Sequence, residues 1–356
     1  MKIVIVGGHL SPALAVIEKL KGEDVSYIGR KHVFEGDKAL SLEYQEIEKL
    51  RLPFYVLLTG RLQRRFTKHT IPSLAKIPFG FFQSLAILRK IKPDVVLGFG
   101  SYLFLPVAAA SKLLGIPVVM HEQTLEAGFS NKLISKFAKK VCISWKSSDS
   151  FFPKDKVILT GNPLREDVVN IKKIKKTENK IPLIYITGGG SGSHALNLLI
   201  EKSLNELLPK YSIIHQTGWS EVYRDFERLE KVKNKNYECH KYLNAKDAAE
   251  NMQKADLVVG RSGINTVTEL IYLNRPAFLI PIPVGQNNEQ LKNAQFIKSL
   301  GLGEYADQYN LTSDLFISKI EFMLANIKKY TVQQELVFED AAGKIVQVLK
   351  DVSKKA

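Results

Sequence analysis

His9 is the first residue whose type and setting suggest chemistry. It stands directly after Gly7 and Gly8, where the apolar run "KIVIV" ends and the amphipathic stretch "SPALAVIEKL" begins. A histidine at the mouth of a parallel sheet lies where open α/β sheets bind ligands, and its imidazole can accept or orient a proton there. A second glycine-rich break, Gly188-Gly189-Gly190-Ser191-Gly192, follows "LIYIT" and leads into the helical pattern "HALNLLIEKSLNELL". Glycine lets the backbone approach a ligand closely, and a helix N-terminus offers free N–H groups and about half a positive charge. Both breaks suit phosphate.

Several familiar chemistries are missing. A dinucleotide site needs G-x-G-x-x-G and an acid at the end of the next strand. The first turn lacks that spacing and its next strand ends in Gly29 and Arg30, while the strand after the second turn ends "HQTG". There is no GKS/T P-loop and no D-x-D pair to hold a metal against a nucleotide sugar. Cys142 and Cys239 stand far apart without a C-x-x-C, so they suggest core residues, with neither a disulfide framework nor a zinc site. No cofactor or metal is expected. A bound pyrophosphate would be neutralised by backbone dipoles and basic side chains.

Two domains must position these residues. A chain of 356 residues exceeds what one core usually organises. In the first half "KIVIV", "VSYIG", "DVVLGFG", "IPVVMHE" and "KVCIS" alternate with amphipathic stretches; in the second "IPLIYITGGG", "YSIIHQTG", "DLVVGRSG" and "PAFLIPIP" do the same. Strands alternating with helices imply a parallel sheet covered on both faces. The expected organisation is α/β: an N-terminal Rossmann-like domain over 1–165, a lysine-dense linker over 166–180, and a second Rossmann-like domain over 181–335, the two facing each other across a cleft. A closing helix over 336–356 would pack back on the first domain. The apolar stretches are broken before the ~20 residues a membrane span needs, and the N-terminus is too short in apolar residues for a signal peptide, which points to the cytoplasm. The formal net charge of +15 favours an anionic partner, but no nucleic-acid module accompanies it, so nucleic acid is not expected.

Further motifs occur in the order "LGFGSYLFLP", "IPVVMHEQ", "LTGNPLR", "GRSGINTVTEL" and "NEQLKNA". Together with "GGHLSP" and the C-terminal "DAAGKIVQVL" they resemble the MurG-type glycosyltransferases across nearly the whole chain. The resemblance implies the GT-B architecture and inverting transfer of GlcNAc from UDP-GlcNAc to undecaprenyl-linked muramyl-pentapeptide in peptidoglycan synthesis, by a peripheral enzyme on the cytoplasmic face of the membrane. It puts Glu269 on the ribose hydroxyls of UDP, with Ser262, Gly263, Ile264, Asn265 and Thr266 opening its helix toward the diphosphate. Arg165 would reach the diphosphate, Gly190 and Ser191 would line the donor loop, and the Leu243 backbone would read uracil. Glu289, Gln290 and Asn293 would contact the GlcNAc hydroxyls. Gly7, Gly8, Gly100, Ser101, Tyr102, Gln123 and Thr124 belong to acceptor-side loops. The proton of the attacking hydroxyl needs a base, for which His9 and Glu122 are the titratable candidates.

The chain departs from the family pattern in places. The first loop is "GGH" where Gly-Gly-Thr-Gly-Gly-His is usual, Thr124 follows HEQ where asparagine is usual, and the third loop has Gly190-Ser191 in place of Ser-Gln. A related GT-B transferase with another nucleotide sugar or glycolipid, or a non-catalytic UDP-sugar-binding homologue, stays open at this level. The stretch "RLQRRFTKHTIPSLAKIPFGFF" carries Arg61, Arg64, Arg65, Lys68 and Lys76 without an acid, interleaved with Phe66, Ile71, Ile77, Phe79, Phe81 and Phe82. Cations beside exposed aromatics favour an anionic bilayer surface.

Overall fold

The computed structural model describes residues 1–32, 40–60, 70–174, 176, 178–283, 288–332 and 340–354, and of residues 70–75 the backbone alone. In chain order the elements are β1 (Lys2–Val6), α1 (Leu10–Lys19), β2 (Asp24–Gly29), α2 (Leu42–Lys49), β3 (Phe54–Val56), α3 (Thr70–Ile91), β4 (Val95–Gly98), α4 (Phe104–Leu113), β5 (Val118–Glu122), α5 (Phe129–Ser135), β6 (Lys140–Ile143) and β7 (Val157–Leu159). There follow α6 (Glu166–Ile171), β8 (Leu183–Thr187), α7 (His194–Leu207), β9 (Ser212–Gln216), α8 (Asp225–Leu229), β10 (Tyr237–His240), α9 (Ala245–Lys254), β11 (Leu257–Gly260), α10 (Ile264–Leu273), β12 (Ala277–Leu279), α11 (Glu289–Ser299), β13 (Gly303–Tyr305), α12 (Ser313–Ala325) and α13 (Ala341–Ser353). They form two units: Met1–Arg165 with Val337–Ala356, and Glu166–Leu336.

Unit 1 is built on a parallel sheet of order β3-β2-β1-β4-β5-β6-β7. The near-continuous apolar runs of β1 and β4 are what a strand buried on both faces requires. Alternation then sorts their side chains. Val4, Val6 and Val96 join Leu88, Phe104 and Val107 of α3 and α4 in one core, whereas Ile3, Ile5, Val95 and Leu97 join Ala13, Val16, Ile345 and Leu349 of α1 and α13 in the other. Cys142 is buried in this second core.

Unit 2 repeats the plan with a parallel sheet of order β10-β9-β8-β11-β12-β13. Ile184, Ile186, Val259 and Phe278 pack with Leu196, Ile200 and Leu204 of α7 and Phe316 and Ile320 of α12. Both sheets therefore have the two-Rossmann-unit composition of GT-B proteins. In each, order reverses beside the first strand, β1 against β4 and β8 against β11, and that is where an open α/β sheet leaves a crevice at its carboxyl edge. The stretch read as a linker is structured at its start: α6 forms because Val168 and Ile171, three apart, can be buried together against unit 2. The boundary expected between 335 and 336 lies outside the described residues.

Candidate active site

In unit 1 the loop after β1 is pinned to the loop after β4. A Cβ on Gly8 would stand 2.6 Å from the Gly100 carbonyl oxygen and 2.9 Å from that of Phe99, so only glycine fits. The Ser101 hydroxyl donates to the Gly7 carbonyl at 3.0 Å, and Gly100 and Ser101 both take positive φ to make the turn. Gly7 is buried and its N–H is spent on the Ile28 carbonyl at 2.8 Å. That corrects the expectation of a phosphate donor at this residue: the β1–β2 ladder continues one position further than the sequence suggests. Gly8 is exposed.

His9 takes the N-cap position of α1 with extended backbone, yet its ring makes no capping hydrogen bond. Burial pushes its pKa down to about 4, so the imidazole is neutral at pH 7 and able to accept a proton. Beside it are Gly100 and Asn131, since a Cβ on Gly100 would lie 3.7 Å from His9 Cδ2 and 3.1 Å from Asn131 Nδ2. Asn131 in turn donates to Glu122 at 2.8 Å. The same carboxylate accepts from the Thr124 N–H at 3.0 Å, the Thr124 hydroxyl at 2.6 Å and the Gly128 N–H at 3.3 Å. Glu122 is thus buried with both oxygens occupied, and it shapes the loop from Thr124 to α5. Gln123 is buried, its carbonyl accepting from Trp145 Nε1 at 2.9 Å; Tyr102 is half-buried with Arg30 5.8 Å from its ring centre.

In unit 2 three loops converge at the carboxyl edge of β8, β11 and β12 around a residue the sequence reading passed over, Arg261. Its guanidinium is buried and donates to the Ser193 hydroxyl (3.1 and 2.6 Å), the Ile280 and Pro281 carbonyls (2.8 and 3.3 Å) and Gln308 Oε1 (2.5 Å). All of these acceptors are neutral. Burial lowers the Arg261 pKa to about 10, which leaves it charged at neutral pH. Ser193 is also the N-cap of α7, accepting from Leu196 N–H, and Gly263 is the N-cap of α10. A guanidinium without a carboxylate partner among the described residues thus sits with the positive ends of two helices, a combination that favours an anion. Its signal in the sequence was its place right after strand "DLVVG", ahead of the Ser-Gly that opens α10.

The other donor-side residues fall around this centre. Ser262 is buried and donates to the Gln290 carbonyl at 2.7 Å. Ile264 is buried, while Asn265, Thr266 and Glu269 are half-buried along α10. Gly190 accepts from Trp219 N–H at 2.9 Å and Ser191 from Ser220 N–H at 3.3 Å, which fixes the glycine loop to the turn after β9. Leu243 is almost fully buried just before α9. Glu289 and Gln290 are half-buried at the start of α11, with Gln290 Oε1 accepting from Ile282 N–H at 3.1 Å. Asn293 departs from expectation. It is fully buried and donates to the Ser262 carbonyl at 2.9 Å, because the next turn of α11 points its side chain toward α10, so it holds the loop instead of facing a ligand. Arg165 belongs to unit 1, where its guanidinium lies 3.6 Å from Glu18 of α1. Among the described residues no cluster of histidine, cysteine or carboxylates could hold a metal ion.

Comparison with known proteins identifies the family. The glycosyltransferase family 28 N-terminal domain model matches residues 6–143 and the C-terminal domain model residues 183–348. A curated Clostridium perfringens protein named UDP-N-acetylglucosamine--N-acetylmuramyl-(pentapeptide) pyrophosphoryl-undecaprenol N-acetylglucosamine transferase is 31% identical over 368 residues, covering 100% of this chain and 98% of the relative. A protein of the same name from Clostridium tetani is 30% identical over 342 residues, 92% of this chain and 91% of its own. The crystal structure of Acinetobacter baumannii MurG superposes with a TM-score of 0.74 at 25% identity, over 99% of this chain and 100% of that one. The chain belongs to the MurG-type glycosyltransferases of family 28. The UDP-GlcNAc 2-epimerase of Neisseria meningitidis, at 17% identity and a TM-score of 0.67, shares the fold. Within the family assignment the C-terminal match runs on past unit 2 into α13, the helix that completes the core of unit 1.

Proposed function

We propose that this chain transfers GlcNAc from UDP-GlcNAc to undecaprenyl-pyrophosphoryl-MurNAc-pentapeptide, with inversion at the anomeric carbon, in peptidoglycan synthesis. Unit 2 binds the donor. The observation that carries this reading is Arg261, a buried cation whose acceptors among the described residues are all neutral, at the N-termini of α7 and α10. The departing UDP gains charge on its diphosphate, and fixed dipoles with a guanidinium stabilise that charge without reorganising. Arg261 belongs to unit 2 with the donor loops, whereas Arg165 belongs to unit 1, its Nε 3.6 Å from Glu18 Oε1. Glu269 grips the ribose hydroxyls, Leu243 reads the base through its backbone, and Glu289 and Gln290 contact the sugar.

Unit 1 handles the acceptor. His9 takes the proton of the attacking 4-hydroxyl, being neutral at working pH and free of a capping bond. Glu122 supports it through Asn131, since its own oxygens are occupied. An acceptor diphosphate against Gly8 and the start of α1 would raise the His9 pKa toward its ordinary value, which strengthens it as a base when substrate is present.

The polyprenyl tail of the acceptor calls for a membrane surface, and we place unit 1 on the anionic cytoplasmic face as a peripheral protein. No helix among the described residues is long and apolar enough to cross a membrane. On α3, Phe79 and Phe82 are exposed three residues apart, whereas Phe81 packs against the unit 1 core and Lys76 and Ile77 are half-buried. Arg61, Arg64, Arg65, Phe66 and Lys68 lie outside the described residues, as does the side chain of Ile71. Two assays test the reading. Purified protein with UDP-GlcNAc and lipid-linked muramyl-pentapeptide should yield the disaccharide lipid; UDP binding without product would mean another acceptor. In liposome flotation, binding should require anionic lipid and fade with salt, and equal binding to neutral vesicles would remove the electrostatic part.

A further inference from the structure

An aromatic pair lies beside the glycine loop of unit 2. Past the ends of β9 and β10 the two chains stay paired: Thr217 N–H donates to the His240 carbonyl and Gly218 N–H to the Lys241 carbonyl, both at 2.9 Å. Gly218, at φ +100°, lies so close to Gly192 that neither could carry a Cβ. This continued pairing lays Trp219 beside Tyr242, with ring centres 5.2 Å apart and planes inclined by 30°. Trp219 N–H donates to the Gly190 carbonyl, and a Cβ on Gly190 would touch the Tyr242 ring at 3.9 Å. Lys241, anchored on Glu221 at 2.7 Å, lies 5.6 Å from the centre of the indole.

Both rings nevertheless face water, Trp219 with 49% of its surface exposed and Tyr242 with 38%. Two large aromatic rings held rigidly and left exposed at the carboxyl edge of a Rossmann-like sheet are a surface awaiting a flat apolar partner. Tyr242 leads directly into Leu243. We infer that Trp219, supported by Tyr242, forms the wall on which the nucleobase of the donor stacks. The inference rests on the reading of unit 2 as the donor site. It assigns a binding residue that this chain carries on the turn tied to the glycine loop. A pyrimidine ring stacked on an indole gains affinity without a directional hydrogen bond, which complements a backbone contact that reads the ring edge.

The full chain has two tryptophans, Trp145 and Trp219. Trp145 is buried in unit 1 on the Gln123 carbonyl, so the difference in emission between wild type and Trp219→Phe isolates Trp219. UDP and uridine should change that emission saturably, whereas inorganic pyrophosphate and GlcNAc 1-phosphate should not. By calorimetry Trp219→Ala should bind UDP about tenfold more weakly, with Trp219→Phe within roughly threefold of wild type because it keeps a stacking face. Pyrophosphate affinity should be the same in all three. Equal UDP affinity in wild type and Trp219→Ala, or an emission change with pyrophosphate alone, would overturn the stacking assignment while leaving the donor site standing. Absence of any UDP binding to wild type would overturn the donor reading itself, and the stacking role with it.

Discussion

At the residue scale burial acts in the same direction on two cations and leaves opposite outcomes. It removes the charge of His9 at neutral pH, and it lowers Arg261 only to about 10, which leaves that guanidinium charged. Because the His9 pKa is held near 4, the free enzyme keeps a competent base through the mildly acidic range. The acid limb of kcat/KM should therefore fall well below pH 6, where an unperturbed histidine would already be half protonated. His9→Ala should lower kcat by about 10² to 10⁴ with UDP affinity unchanged, read by steady-state kinetics and calorimetry; turnover within a few-fold of wild type would make His9 a turn residue. Arg261→Lys should not rescue Arg261→Ala, since one ammonium cannot reach Ser193, Ile280 and Gln308 together. Both variants should lose about ten- to a hundredfold in UDP affinity while keeping most of their affinity for uridine. Glu269→Ala should show a loss of similar size that extends to uridine, because the ribose hydroxyls are common to both ligands.

At the scale of elements, the glycine loops were legible and the way they interlock was not. The break at Gly7-Gly8 could be read from an apolar run that stops at glycine. The reason for Gly8, the carbonyls of Phe99 and Gly100 against it, comes from a strand ninety residues away. A Gly8→Ala variant must displace one of those carbonyls and should lose about 1 to 3 kcal/mol of stability, whereas Gly128→Ala, with nothing within 4 Å of the added methyl, should melt close to wild type. Matched melts distinguish the two. The strands missed in the sequence, β3, β7, β10 and β13, are the edge strands of the two sheets; most of their residues are only half-buried, so they lack the continuous apolar run that marks the inner strands. Asn131 and Arg261 escaped for a different reason: neither type signals a role until tertiary packing brings Glu122 to one and two helix ends to the other. Asn293 shows the converse. Its spacing on α11 put it with Glu289 and Gln290, and packing against α10 turned it inward.

For the molecule as a whole, acid should be a common weakness of both units, because each buries a neutral histidine. His121 of unit 1 sits between the Gly161 carbonyl at 3.2 Å and Ser144, and burial lowers its pKa to about 4. His215 of unit 2 sits between Asn197 and Tyr237, and burial lowers its pKa to about 3. In each case the unfolded chain binds the proton near pH 6.5 and the folded chain does not, so the stability these groups contribute is complete above pH 6.5 and is lost as pH falls toward 4 in unit 1 and 3 in unit 2. Between pH 6 and 5 each unit should take up close to one extra proton on unfolding, a loss on the order of 1.4 kcal/mol per pH unit. Most carboxylates titrate below this window, but Glu43 of unit 1 is raised by burial and takes up a proton in the folded chain, which opposes the histidines of that unit. His9 shifts in the same direction as His121 and steepens the dependence of unit 1. Urea melts at pH 7, 6 and 5 can follow the units separately, with Trp145 reporting unit 1 and Trp219 unit 2. His215→Gln should flatten the Trp219 series and leave the Trp145 series sloped; melts that do not move between pH 7 and 5 would show that these histidines exchange protons with water in the folded chain.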